Sequence, residues 1–408
     1  MTSKTVPSVA VVGMSGFAGY HRRAVADLAA EGAIRHVAQV VPPMDEKTHG
    51  EEAESLRRSG VQLYPSLREL LAAQREHVDL ITIPTGIGLH RPMTVAALEA
   101  GCNVLVEKPA AGCIQDVDAM IAARDRSGRH CAVGYQYNCL EPIKQLKNWI
   151  CAGRFGAIRR IRGFGCWPRD RAYYTRNRWA GCLAIDDTWL LDSPHNNALA
   201  HAVNLMCYLG CDRPLEPLAL TSVQAELYRA HPIESADTAV LRAQSKEEVE
   251  IFFAVSHCTD RNIDPAFEIE AESARLKLTL DGNTTITWSD GSTEELAGAD
   301  PTNGALRDMA NVLTGDQAGT ACSLEIARAQ TLCVCGTFES SPVHDLPHDL
   351  VQRDPDAGTH VMPGMTEVIL AAFEQGALPS EMDLPWARTG DEISLIDYDY
   401  FPTYRKPG

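Results

Sequence analysis

No run of about 18 apolar residues occurs in this chain, so it offers no helix able to cross a bilayer. Its opening residues, MTSKTVPSVAVVG, lack a charged segment followed by a long apolar one and run into an apolar strand instead. The chain therefore reads as having no signal peptide and as cytoplasmic. Spaced pairs of CxxC are absent as well. The 13 cysteines, scattered from Cys102 to Cys335, read as reduced and mostly buried thiols rather than as a zinc site. Cys333 and Cys335 make a lone CxC in a helical stretch, where two ligands do not complete a tetrahedral site, so core packing is expected and no metal.

Positive charge is also in short supply. The formal net charge is -17, which repels a phosphate backbone or an anionic membrane, so neither nucleic acid nor a membrane is an expected partner. The densest basic run, Arg154 to Arg171, is interleaved with Gly163, Phe164, Gly165 and Trp167, and fits a solvated strand face as well as an anion site. There is no internal repeat and no low-complexity tract.

What is present is the composition of a folded protein: 45% hydrophobic and 22% charged residues over 408, enough for two domains. From Val6 to Gln136 short β-branched runs (VAVVG, HVAQVV, VQLY, DLITIP, NVLVEKP, CAVGYQ) alternate with amphipathic helical stretches, the pattern of a doubly wound parallel sheet. After Asn138 it changes. A helix over Glu141–Cys151, a strand near Ala157–Gly165 and a loop rich in Arg, Tyr and Trp come first. A helix from Ser193 follows, then strands without intervening helices from Leu218 to Trp288, implying an antiparallel sheet. Helices near Gly304–Leu313, Leu324–Glu339 and Met365–Glu374 complete the list. The fold class expected is α/β, an N-terminal Rossmann domain (1–138), an α+β domain with a large, mainly antiparallel open sheet (139–345) and a C-terminal extension (346–408).

Directly after the first strand stands Gly13-Met-Ser-Gly16-Phe-Ala-Gly19, followed at once by a helix. Small residues let the backbone turn tightly beside a pyrophosphate, and the helix start presents free N–H groups and partial positive charge. In the GxGxxG frame, Ser15 and Ala18 take the second and third glycine places, with Phe17 between. A tight structural turn is the competing explanation. The second strand ends Val40-Val41-Pro42-Pro43, without the usual acid for the ribose hydroxyls, so NAD and NADP both stay open; Asp45 and Lys47 lie just beyond.

Two segments carry reactive chemistry. Glu107-Lys108-Pro109 ends the fifth strand, the sheet edge where α/β folds place ligands, and a lysine there can stabilise developing charge on a hydroxyl oxygen. The helix from Ser193, expected to cap it, puts Leu199, Ala202, Val203, Met206 and Leu209 on an apolar stripe. Asn197, His201, Asn204 and Tyr208 form a polar stripe expected to face away from the core. His201 can take a proton from a hydroxyl near neutral pH, with Asn197 fixing its tautomer or holding the substrate; His195 falls on the apolar side.

The order of glycine turn, IPTGIGLH, ALEAGCNVLVEKP, GYQYN, ICAGRFGAIRRIRG and the His201 helix resembles the Gfo/Idh/MocA oxidoreductase family over about residues 6 to 340. The resemblance implies NAD or NADP held by Gly13, Ser15, Gly16, Phe17, Ala18, Thr85, His90, Glu107, Lys108 and Gln136, and a homo-oligomer, dimer or tetramer. It makes Lys108 the motif lysine and His201 the histidine of a D-x-x-x-H pattern, with Asn197 standing where the aspartate is usual; Asp192 is the candidate substitute. Trp167, Tyr173, Tyr174, Arg176, Asn177, Arg178, Trp179, Asp192 and Asn204 suit a sugar, glycoside or cyclitol, though aromatic loop packing explains the same residues. The activity implied is hydride transfer at a secondary hydroxyl or carbonyl. The alternatives are an NAD-dependent glycosidase working by transient oxidation and elimination, and a non-catalytic nucleotide-sensing protein.

Overall fold

The computed structural model describes residues 6–74 and 77–404, so the reading of the first five residues and the last four of the extension fall outside it. By contacts the chain divides into two compact units. The first holds the residues up to Ala111, Asp116–Cys139 and Pro301–Ala327. Its strands are β1 (Ser8–Val12), β2 (Arg35–Val40), β3 (Gln62–Tyr64), β4 (Leu80–Ile83), β5 (Asn103–Val106) and β6 (Cys131–Val133). They form one parallel sheet in the order β3-β2-β1-β4-β5-β6. Every residue of β1, β4 and β5 is buried, as strands covered on both faces must be. Helices α1 (Ala18–Ala30), α2 (Pro43–Thr48), α3 (Gly50–Arg58), α4 (Leu67–Gln74), α5 (Ile87–Glu99) and α6 (Ile114–Ser127) make the connections. The order reverses between β1 and β4, and in open α/β sheets the crevice at such a switch point is where ligands bind.

The second unit opens with α7 (Glu141–Cys151), β7 (Ile158–Cys166), α8 (Arg171–Thr175) and a two-strand hairpin of β8 (Ala184–Ile185) and β9 (Thr188–Trp189). A π turn over Pro194–Ala198 then runs into α9 (Ala200–Gly210). Strands β10 (Leu220–Arg229), β11 (Thr238–Ser245), β12 (Glu250–Ser256), β13 (Ile263–Ala271), β14 (Ala274–Thr279), β15 (Thr284–Trp288) and β16 (Thr293–Leu296) follow. With β7 inserted between β13 and β12 they form most of a ten-stranded sheet, antiparallel except at β7–β12 and one edge pair. The expected large, mainly antiparallel sheet is there. Arg154, Arg160 and Arg162 of the basic run pair with Glu294, Glu250 and Glu268 at 2.7, 2.7 and 3.1 Å, which accounts for these three charges by ion pairing.

Strand β7 seats elements on both of its faces. On one side Gly163 and Gly165 give α9 its room: a Cβ at Gly165 would lie 2.9 Å from Leu199 Cδ1, and one at Gly163 would lie 3.2 Å from Met206 Sδ. On the other side Phe164 packs on Phe373, ring centroids 4.8 Å apart. Phe373 belongs to the last of three further helices, α10 (Gly304–Leu313), α11 (Leu324–Ser340) and α12 (Met365–Gln375). Met365, Ile369 and Ala372 of α12 share a core with Phe252 and Ala254 of β12. Short strands β17 (Val343–Asp345), β18 (Gln352–Asp354), β19 (Thr359–Val361) and β20 (Ile393–Ser394) complete the chain, β17 and β20 both pairing with β10. The extension thus returns to the sheet as an edge strand and a covering helix.

The contact division differs from a second domain drawn as 139–345. Residues 301–327 belong with the first unit because α10 packs against α1, β5 and β6, and Arg307 and Asn303 reach Glu31 and Asp27 on and just after α1 at 2.7 and 3.1 Å. Short-range pattern carries no sign of such a return of the chain.

Candidate active site

The glycine turn is built as its composition requires. Gly13 and Gly16 have φ of +92° and +60°, a region that side chains with a Cβ enter at a cost. A Cβ at Gly16 would meet nothing within 4 Å, which leaves open space over the turn. Phe17, half exposed, precedes α1 without a side-chain cap, and Ala18 starts the helix. Open space, a glycine turn and an uncapped helix start fit the pyrophosphate of a dinucleotide. Asp45, on α2, grips the turn: its carboxylate accepts from Met14 N at 3.0 Å and from the Ser15 hydroxyl at 2.9 Å. An acid from the helix after β2 thus stands at the turn, where β2 itself ends without one.

Glu107 is buried and its carboxylate faces inward. Oε2 accepts from the backbone N–H of Lys108 at 3.0 Å, and Oε1 meets His21 Nε2 at 3.0 Å. Glu107 thus holds the backbone of the lysine, braced from α1. With Gly134, Gln136 and Tyr20, Glu107 and His21 line a cleft at the ends of β5 and β6. His90 is fully buried, with Nδ1 2.8 Å from Pro109 O and Nε2 3.0 Å from Thr85 O. Burial lowers its pKa while the two carbonyls oppose the shift. His90 and Thr85 therefore tie the end of β4 to the Lys108-Pro109 segment. His21 had no signal in the sequence, since its partner lies 86 residues away.

Lys108 belongs to the first unit and His201 to the second. The helix before His201 departs from regular winding: Leu199 N bonds Pro194 O at 2.7 Å, five residues back, so the 100° wheel fails over Pro194–Ala198. Ser193 does not cap it; its hydroxyl donates to Leu191 O at 3.0 Å. The polar stripe does not face away from the core either. His201 is 8% exposed and Asn204 is 0% exposed, because α9 lies against β7 and is covered all round. Tyr208 is buried too. Lys147 donates to Tyr208 O and Cys211 O at 2.5 and 2.7 Å, capping the helix C-terminus, and burial pushes its pKa down to about 8.

His195 is a core residue, 0% exposed. Its Nε2 lies 2.9 Å from Thr337 Oγ1, whose proton goes to Val334 O, so Nε2 carries the hydrogen. Complete burial pushes its pKa down to about 3.

The aromatic loop is a network of pairs. Asp170 caps α8 by accepting from Tyr173 N at 2.9 Å. Arg176 lies 3.8 Å from the centre of the Tyr173 ring and 5.2 Å from that of Trp179. Its Nη2 also stands 3.9 Å from Asp192 Oδ2. Asp192 accepts from Asn197 Nδ2 and from Gly181 N, each at 2.6 Å. Asn197, Asp192, Arg176 and Tyr173 are thus brought together. Trp167 is directed elsewhere, donating to Asp264 Oδ1 at 2.9 Å, and Asn177 Oδ1 accepts from Trp179 N and Ala180 N at 3.0 and 2.8 Å. Arg178 is exposed, and its carbonyl accepts from the Cys182 thiol at 3.6 Å. Tyr174 turns inward, its hydroxyl 3.1 Å from His257 Nδ1, and burial raises its pKa well above the ordinary value. Behind it His231 pairs with Asp237 at 2.7 Å and meets Arg169 O at 3.0 Å, an anchor for the loop that spacing did not reveal.

Among the described residues no helix is long and apolar enough to cross a membrane. Residues 8–135 match the model of the oxidoreductase family with NAD-binding Rossmann fold. The 1-carboxy-3-chloro-3,4-dihydroxycyclohexa-1,5-diene dehydrogenase of Comamonas testosteroni is 37% identical over 138 residues, 33% of this chain and 35% of that protein. The chain thus spans about a third of that relative's length. Among solved structures, the WlbA dehydrogenase from Chromobacterium violaceum, in complex with NADH and UDP-GlcNAcA, superposes with a TM-score of 0.66 at 20% identity, covering 83% of this chain and 94% of that one. Levoglucosan dehydrogenase, in complex with NADH and levoglucosan, gives 0.66 at 17% identity over 82% and 96%. The strand order, the glycine turn and these matches agree: the chain has the fold of those dehydrogenases, and its residues 8–135 are similar to the NAD-binding Rossmann domain of the Gfo/Idh/MocA oxidoreductase family.

Proposed function

We propose that this protein is an NAD(P)-dependent oxidoreductase acting on a secondary hydroxyl or carbonyl of a sugar, glycoside or cyclitol. The observation that carries the reading is the family match over the Rossmann residues, joined to a glycine turn with open space above it. Bound NAD supplies the hydride acceptor or donor. Gly13, Ser15, Gly16, Phe17 and Ala18 seat the dinucleotide, with Thr85, His90, Glu107 and Gln136 shaping its far end. Lys108 holds the substrate oxygen as charge develops, and His201 moves the hydroxyl proton. Asn197 and Asp192 orient the substrate, and Tyr173, Arg176 and Trp179 offer ring faces and donors to its hydroxyls. The working protein is read as a cytoplasmic homo-oligomer.

The test is the absorbance of reduced nicotinamide with NAD or NADP and a panel of monosaccharides, glycosides and inositols. On the substrate so found, Lys108→Ala is expected to lower kcat about a hundredfold or more. Turnover near that of the unaltered chain would remove the role given to Lys108.

A further inference from the structure

The sulfurs of Cys139 and Cys322 stand 3.5 Å apart within the first unit, one thiol facing the other. Cys139 is 6% exposed and Cys322 fully buried. Cys322 also donates to Tyr135 O at 3.0 Å, its own carbonyl accepts from Val133 N at 2.8 Å, and Asn138 Nδ2 donates to Ala321 O at 3.1 Å. The chain from Val133 to Cys139 is thereby stitched to residues 321–322 on both sides of Gln136.

We propose that Cys139 and Cys322 form a redox modification site, a reversible dithiol–disulfide pair that takes a peroxide-class oxidant and acts on the nucleotide site through Gln136. The coupling rests on the reading of Gln136 as a nucleotide-site residue; the pair itself does not. The more exposed Cys139 sulfur, as thiolate, attacks one peroxide oxygen. The O–O bond breaks, leaving a sulfenic acid on Cys139, and the released hydroxide takes the thiol proton to become water. The Cys322 sulfur then attacks the sulfenic sulfur, the S–O bond breaks, and a second water leaves with the Cys322 proton. Two thiols lose two electrons and two protons, and the peroxide becomes two waters. From 3.5 Å the sulfurs close by roughly 1.5 Å to reach bonding distance, which draws the short 3-10 helix Gln136–Cys139 towards Cys322 and displaces Gln136.

The experiment treats the full chain with hydrogen peroxide, blocks remaining thiols with iodoacetamide under denaturing conditions, and maps the unreduced digest by mass spectrometry. The expected product joins the peptides of Cys139 and Cys322 with the loss of two hydrogens, and dithiothreitol reverses it. By calorimetry the oxidised chain is expected to bind NAD about threefold to tenfold more weakly, the loss of one good hydrogen bond, with recovery on reduction. Cys139→Ala, or Cys139→Ser should the first variant fold poorly, is expected to show neither change. Both cysteines found alkylated after peroxide would overturn the site, and a joined pair with unaltered NAD affinity would overturn its action on the nucleotide. A chain that takes up no NAD before treatment would sink the nucleotide reading instead, while the mass map still decides the pair.

Discussion

The side-chain amide of Asn197 donates to Asp192 Oδ1 at 2.6 Å, while the other oxygen of that carboxylate accepts from Gly181 N at the same distance. An aspartate at position 197 would set two carboxylates in contact in a buried place, where one must take up a proton. Asn197→Asp is therefore expected to lower the thermal midpoint, at a cost of about 1–3 kcal/mol, and to reduce kcat. Exchanging the pair, Asn197→Asp with Asp192→Asn, is expected to restore most of both. A double variant no better than Asn197→Asp alone would show that the two side chains do not work as a unit.

Asp45 bears on the choice of dinucleotide. A carboxylate bound to the glycine turn, just past β2, suits ribose hydroxyls and repels a 2'-phosphate. Asp45→Ala is expected to reduce the preference for NAD over NADP about tenfold, read as the ratio of kcat/KM values. An unchanged ratio would leave Asp45 as a brace for the turn and nothing more.

Gly165 tests the seating of α9. A methyl group there would press on Leu199, at the junction between the π turn and the helix that carries His201. Gly165→Ala is expected to cost about 1–3 kcal/mol in denaturant unfolding and to lower kcat more than it raises KM. Loss of stability with full kcat would mean that the displacement is absorbed before it reaches His201.

Acid sensitivity follows from His195, whose folded pKa of about 3 lies below its ordinary value of 6.5. Between those limits the unfolded chain binds a proton that the folded chain refuses, so stability falls as pH drops through that window. Replacing His195 by Gln is expected to flatten the pH dependence of unfolding there by up to about 1.4 kcal/mol per pH unit. An unchanged slope from pH 6 to 4 would contradict the neutral core assignment.

Local periodicity revealed the Rossmann half because β1, β4 and β5 are short apolar runs whose character depends on their own residues. Met365–Gln375 was legible as a helix in the same way. Its place on β7 and β12 was not, since nothing in an apolar helix face names the strand that receives it. In the site, Lys108 and the glycine turn announced themselves by position in the alternation. His21 with Glu107, His231 with Arg169, and Asp45 with Ser15 are pairings across tertiary space, and spacing is silent about those. The polar stripe of α9 was misjudged because a wheel distinguishes polar from apolar, whereas here both sides are buried and the polar side faces interior groups.

The π turn alters how length is counted in this stretch. Asp192 and His201 are nine residues apart in the chain, yet the wide turn between them spends one residue more than α-winding needs. That surplus is slack, stored next to a helix whose own phase is pinned by two glycines on β7. Deleting Ala198 is thus expected to tighten the coil and leave a cooperatively melting fold, whereas deleting Leu205, inside α9, is expected to rotate the packed stripe off β7 and abolish cooperative melting. Length changes arising by drift would be tolerated at that hinge of winding.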